Sequence, residues 1–313
     1  MPMLWQTLSR NLAPLTLAGA IAAYFVPSPF LFFKPYFLWC FAATMFALGL
    51  VLHPEEARSA LRSPARIALG VVTQFSVMPL LGFAAASIAT AQGLSPALAL
   101  GFVIVGCAPG AMASNVITYL AGGAIAFSIA MTTIATLLSP LLTPALIEWL
   151  GGAFLDIPFW PMMQTILLTV LLPLLLGMLL RPRLKGYAGR AEAIAPGIAA
   201  LAIVIICSYA VAANQERIAH LAGWVVMLVA LVNGLGYVAG WWLGQLFGFD
   251  RRHRITLAIE IGMQNAGLGV ALALKHFGPE TALPGALFAV WCIITAAGAT
   301  RYLRRRDIML AAV

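Results

Sequence analysis

The stretch AIEIGMQNAG, residues 258–267, places one carboxylate, Glu260, and two amides, Gln264 and Asn265, in a run that is otherwise apolar or small. The other nine acidic residues of the chain lie in or beside the connections between apolar runs. An ionised side chain at the depth of hydrocarbon costs about 2.5–3.5 kcal/mol on insertion scales, so it persists only with a compensating cation, proton or polar partner. No Lys or Arg stands in the middle of any apolar run. A bound cation or a proton is therefore the expected compensator. The plainer alternative is a protonated Glu260 bonded to a neighbouring helix.

The rest of the chain makes this run a membrane segment. Of 313 residues, 62% are hydrophobic and only 9% charged, where a soluble domain carries about 25% charged residues. Apolar stretches of roughly 17–25 residues, enough to cross about 30 Å of hydrocarbon, recur throughout. Lipid offers no hydrogen bonds to a backbone, so such stretches must be helical. The expected fold is an all-α polytopic membrane protein with ten spans, at 12–26, 36–52, 66–90, 96–121, 124–150, 158–181, 195–213, 217–247, 252–277 and 281–303.

Charge orients the spans. With the N-terminus in the cytoplasm and the sides alternating, 15 of the 18 Lys and Arg residues fall on the cytoplasmic side, among them Arg10, Arg58, Arg62, Arg181 and Arg251. Only Lys34, Arg217 and Lys275 fall opposite. That asymmetry follows the positive-inside rule. It accounts for the net charge of +8 without a nucleic-acid partner. The expected location is a bacterial inner membrane, with both termini cytoplasmic. The basic tail RYLRRR, residues 301–306, would meet anionic headgroups. The four cysteines are scattered through apolar runs with no CxxC, so neither a disulfide framework nor a zinc site is expected.

Ten spans divide into five and five, residues 1–150 and 151–313, and an odd half inserts its second copy upside down. Inverted repeats of this kind are a common plan of secondary transporters, whose binding sites lie at interrupted segments in matching places. The fourth span carries GCAPGAMASN, residues 106–115, and the ninth carries EIGMQNAG, residues 260–267. Pro109 and Gly110 break the fourth helix, because proline lacks the donor and glycine tolerates unusual dihedrals. Ser114 and Asn115 follow at once. Ser128 and Thr132, at i and i+4, share one face of the fifth span, and Gln74 is a lone mid-span amide in the third. Backbone bonding or helix–helix packing would explain each of these alone. Together they offer one acid among neutral oxygens, which suits a hard monovalent cation such as Na⁺ rather than zinc, copper or Ca²⁺.

GCAPGAMASNVITYLAGGAIAFSIAMTTIATLLSPLLTPAL, with AIEIGMQNAGLGVALA and ALPGALFAVW, resembles the bile acid:sodium symporter family over nearly the whole chain. The resemblance implies a core of spans 3–5 and 8–10, with the broken fourth and ninth crossing, and a panel of spans 1, 2, 6 and 7. It implies two sodium ions and no organic cofactor. The first ion would use Ser114, Asn115, Ser128, Thr132 and Glu260. The second would use Gln74, Glu260, Gln264 and the carbonyls of Ile261 and Met263. Asn265, Met112, Ala113, Cys292 and Ile293 would face the substrate. Many family members carry Gly-Gly-Thr where this chain has Gly110, Ala111 and Met112, and Trp-His-Asn where it has Trp291, Cys292 and Ile293, so the cavity here is expected to be more apolar. The expected function is sodium-coupled import of a small or amphipathic organic anion by alternating access. Its partners would be that anion and the bilayer, with no obligatory protein partner evident. A proton-coupled carrier or exporter with Glu260 as the proton site is the alternative. An intramembrane enzyme would need a nucleophile with a base or a second acid, and the apolar runs supply neither.

Overall fold

The computed structural model describes residues 12–52 and 63–311. Arg10, Arg58 and Arg62, which contributed to the expected orientation, lie outside the described residues, as do the side chains of the 301–306 tail. The described chain is helical, with a single isolated β-bridge. Among the described residues six helices are long and apolar enough to cross a membrane: Pro64–Ala91, Ile125–Gly151, Phe159–Leu184, Gly189–Ala212, Gly223–Leu246 and Pro279–Ala296. Their outer faces are apolar, with Trp149, Trp160 and Leu246 each at least 60% exposed. Apolar exposure on that scale marks a surface meant for something other than water, here lipid.

In chain order the elements follow the expected limits closely, and the fourth and ninth segments are each interrupted. Helix α1 (Leu12–Phe25) and helix α2 (Phe37–Val51) are only 14 and 15 residues long. Pro27 follows the end of α1 and disfavours the α region for the residue before it. Helix α3 (Pro64–Ala91) is continuous through Pro79. The expected fourth span is two short helices, α4 (Pro96–Gly106) and α5 (Ala113–Leu120). Helix α6 runs Ile125–Gly151 and α7 runs Phe159–Leu184. Helix α8 (Ala188–Ala212) starts earlier than the expected limit of 195 and passes through Pro196, since membrane helices tolerate an internal proline. Helix α9 is Gln215–Leu246. The expected ninth span is again two helices, α10 (Arg251–Gly262) and α11 (Ala266–His276), and α12 is Pro279–Ala311.

Helix α2 packs against α7 and α8, and α8 against α1. Separately, α3 packs on α4, α9 on α10, and α12 on both α11 and α4. Helix α4 is hydrophobic all round and buried all round, from Leu98 to Gly106, as expected of a helix at the centre of a bundle. Small residues allow the closest approaches. A Cβ on Gly106 would stand 2.4 Å from the Met78 carbonyl oxygen, and one on Gly49 would stand 2.2 Å from that of Leu174. Close backbone approach through small residues is how membrane helices gain packing without a hydrophobic force between them.

Proline costs are met locally. Pro140 cannot donate to the Thr136 carbonyl one turn before it, and the Ser139 hydroxyl takes that carbonyl at 2.8 Å. Helix α10 opens on an acidic cap: Asp250 Oδ1 accepts the His253 amide at 3.0 Å, and Oδ2 meets His253 Nδ1 at 2.9 Å. The donating amide and the His253 ring hold the Asp250 carboxyl below the ordinary carboxylate range. Replacing Asp250 by Ala should cost about 1 kcal/mol of stability, read as a fall in melting temperature near neutral pH. A lowered folded-state pKa means that the contribution is complete above the ordinary carboxylate value of about 4. Wild type and variant should therefore converge on acidification below it.

Candidate cation site and adjoining cavity

The chain is non-helical at residues 107–112 and 263–265, and the two interruptions cross. Gly110 and Gln264 form an antiparallel bridge, with the Ala111 amide donating to the Met263 carbonyl at 2.9 Å and the Asn265 amide to the Pro109 carbonyl at 2.8 Å. Each break thus satisfies backbone groups of the other. Glycine leaves room for the acid at the contact, because a Cβ on Gly110 would lie 2.9 Å from Glu260 Oε2 and push that carboxylate aside.

Other carbonyls at the breaks are taken by side chains. Thr143 of α6 donates to the Cys107 carbonyl at 2.9 Å. Gln74 Nε2 of α3 lies 3.3 Å from the Ala108 carbonyl and 2.8 Å from Gln264 Oε1. Gln264 Nε2 donates to the Ile261 carbonyl at 2.9 Å, and Asn233 Nδ2 of α9 to the Gly262 carbonyl at 2.8 Å. Asn265 caps α11 through its Oδ1, which accepts the Leu268 amide at 3.1 Å.

Glu260 is 1% exposed, and its carboxylate is surrounded by hydroxyls. Ser114 Oγ donates to Oε1 at 2.5 Å, Ser128 Oγ also contacts Oε1, and Thr132 Oγ1 contacts Oε2 at 2.9 Å. Ser128 Oγ lies 2.8 Å from Asn115 Oδ1 as well, and one hydroxyl proton serves only one of these acceptors at a time. Helices α5, α6 and α10 therefore bring Ser114, Asn115, Ser128, Thr132 and Glu260 together. Gln74, Gln264, Ile261 and Met263 form the adjoining group at the break of the ninth segment. Within it Gln74 Oε1 is buried without a hydrogen-bond partner among the described residues, an acceptor that a cation would satisfy. Glu260 forms no ion pair among the described residues, and these hold no cluster of three or more His, Cys, Asp or Glu that could bind a metal. The donors present are one carboxylate and neutral oxygens, a set suited to Na⁺ rather than to a transition metal.

A cavity of about 370 Å³ adjoins the crossing. Met112, Ala113, Asn265, Cys292 and Ile293 all line it, as do Gln264 and Asn115. Its opposite wall, which sequence reasoning did not single out, comes from α2 and α8: Phe41, Thr44, Met45, Ala199 and Ile203. Sequence reasoning also missed Asn233, Thr143, Thr295 and Thr256, whose hydroxyl takes the Ala124 amide at 2.8 Å and joins α6 to α10. Asn233 alone carried a usable signal, being a lone mid-span amide like Gln74.

Two interrupted helices whose breaks cross beside a buried acid and an apolar cavity define a secondary membrane transporter. The sequence comparison says of which kind: residues 38–221 match the Sodium Bile acid symporter family, and the chain belongs to that family, a family of sodium-dependent transporters and not of enzymes. It is 35% identical over 272 residues to the sodium-dependent transporter YocS of Bacillus subtilis, covering 87% of this chain and 84% of that one. It is 36% identical over 265 residues to a probable sodium/metabolite cotransporter, BASS1 of Oryza sativa subsp. japonica, a chloroplastic protein of which the match spans 64%. The corresponding Arabidopsis thaliana protein is 34% identical over 248 residues, with 61% of its length spanned.

Proposed function

We propose that this protein is a sodium-coupled importer of an organic monoanion, working by alternating access. The observation that carries the reading is the Glu260 carboxylate, enclosed by Ser114, Ser128 and Thr132 hydroxyls with no cationic side chain among the described residues to neutralise it. Na⁺, the co-transported substrate, would bind there with Asn115. A second ion would bind between Glu260, Gln264, Gln74 and the carbonyls of Ile261 and Met263. Both sites adjoin the crossing, so their occupancy and the order of the crossing are linked.

The cavity is suited to an anion with one charge and an apolar body. Asn115 and Asn265 lie on its wall, and α5 and α11 both begin at the crossing, so their positive ends converge there. Among the described residues no Lys or Arg lines it, which disfavours a second negative charge on the substrate. Phe41, Met45, Ile203, Cys292 and Ile293 would receive the apolar part. In this reading the ten segments form two inverted five-helix repeats. A core of α3–α6 and α9–α12 moves against a panel of α1, α2, α7 and α8, and both termini are cytoplasmic in a bacterial inner membrane. Leu48, Leu52, Val116 and Pro196 line the cavity and would then lie in cytoplasmic halves of their spans, so in this reading the cavity extends toward the cytoplasm and the conformation faces inward. Transport couples because Na⁺ and anion each prefer the same arrangement of the crossing.

The test is melting temperature in detergent, titrated with Na⁺, K⁺ and choline at constant ionic strength. A site present only in the folded state adds RT ln(1 + [L]/Kd), about 2.7 kcal/mol at a hundredfold excess over Kd. We expect a saturating rise specific to Na⁺, and Na⁺-dependent uptake of a carboxylate or sulfonate into proteoliposomes. Identical curves in all three salts would sink the sodium reading. A rise set by pH alone would hand the role of Glu260 to a proton.

A further inference from the structure

We propose that Asn233 and Thr295 are positioning residues that join the proposed second sodium site to the cavity wall at Cys292. The inference rests on the sodium reading above.

Gly262 is the last residue of α10. Its carbonyl has lost its helical partner, because the Ala266 amide turns to Gln264 instead. At membrane depth an unsatisfied carbonyl costs several kcal/mol, and Asn233 Nδ2 takes it at 2.8 Å. Gly262 lies between Ile261 and Met263, whose carbonyls are the proposed ligands of the second ion. Holding the middle carbonyl toward α9 fixes the peptide planes on either side. Asn233 therefore sets the direction of two ligands that it does not touch.

Asn233 is itself held from α12. Thr295 Oγ1 lies 2.8 Å from Asn233 Oδ1. The same hydroxyl lies 3.0 Å from the Trp291 carbonyl and 3.1 Å from the Cys292 carbonyl. With one proton it donates to one of the three at a time. It is thus a two-way contact, either across to the break or back into its own helix. Tyr237 stands one turn after Asn233 on the same face of α9. Its hydroxyl is 3.4 Å from both Thr295 Oγ1 and the Cys292 carbonyl. Its ring lies against the break itself, 2.5 Å from where a Cβ on Gly262 would be. Cys292 and Ile293 line the cavity. One chain of contacts thus runs from the break through Asn233 and Thr295 to the wall that would face the anion.

Groups that hold metal ligands in place typically change metal affinity by about 10–100-fold when altered. Thr295→Val keeps the shape and removes only the hydroxyl, so it should raise the Na⁺ concentration for half-maximal thermal stabilisation about tenfold. Thr295→Ser should restore it, and Asn233→Leu should be more severe. The second measurement is the rate at which N-ethylmaleimide labels Cys292, read by peptide mass spectrometry with and without Na⁺. We expect Na⁺ to change that rate in wild type and Thr295→Ser, and not in Thr295→Val. Melting temperatures that fall equally in Na⁺ and K⁺, with an unchanged half-point, would make the relay merely structural and overturn the inference. So would Cys292 labelling that ignores Na⁺ in a wild type that Na⁺ stabilises. A wild type that Na⁺ does not stabilise would remove the sodium reading and the inference with it.

Discussion

Glu260→Gln should abolish the response to Na⁺ while leaving the fold intact. The variant keeps the size and planar shape of the side chain. Ser114 and Ser128 can still donate to its Oε1, and the new Nε2 can donate to the Thr132 oxygen that contacts Oε2 in wild type. The one loss is the charge. Removing one partner of a buried charge pair costs about 3–5 kcal/mol, and each 1.4 kcal/mol is a factor of ten. The Na⁺ dissociation constant should therefore rise at least about a hundredfold. Uptake driven by a Na⁺ gradient should fall to background. In K⁺ the variant should melt at or above the wild-type temperature, because a buried carboxylate without a cation is a liability to the ion-free protein. This opposite behaviour in two salts separates a ligand from a structural residue. An unchanged Na⁺ half-point in Glu260→Gln would place the ion elsewhere.

The polar half of the site was legible because polar groups at membrane depth are costly. Glu260, Ser114, Asn115, Ser128, Thr132 and Gln264 stand out in apolar runs, and the structure brings them together. Asn233 carried the same signal as Gln74 and passed unremarked, because a lone amide in a helix can be packing glue or a ligand, and only the Gly262 carbonyl opposite distinguishes these. Thr143 and Thr295 were hidden among hydroxyls that normally bond back to their own helix. The apolar wall from Phe41, Thr44 and Met45 was not legible at all. Which greasy face meets which depends on helix packing, and lipid-facing and protein-facing residues are alike in hydropathy. The interruptions themselves were legible. Pro109 and Gly110 mark the break in 96–121, Gly262 hints at one in 252–277, and the structure divides each segment into two short helices that pair across Gly110 and Gln264.

Packing through glycine was the other illegible feature, and it yields the second large prediction. Helix α9 carries Gly234 and Gly240, both with negative φ. Around Gly234 an added Cβ would meet nothing within 4 Å. Around Gly240 it would lie 2.7 Å from Ala258 Cα, 2.7 Å from the Leu257 carbonyl oxygen and 2.9 Å from the Ala258 amide nitrogen. All three are backbone atoms of α10, so no rotamer change relieves the clash. The helix must move outward, and with it the half-helix that carries Glu260. One substitution should therefore have opposite signs at two sites on one helix. Gly234→Ala should stabilise by up to about 1 kcal/mol, since alanine restricts the unfolded chain and favours the helix. Gly240→Ala should cost about 3 kcal/mol or more, at the upper end for overpacking. It should also weaken Na⁺ binding, because shifting α10 separates Glu260 from Ser128 and Thr132 on α6. Melting curves of both variants in K⁺ and Na⁺ decide the matter. Equal effects at the two glycines would mean that α9 and α10 are not in backbone contact at Gly240, and that Glu260 is positioned by something other than this packing.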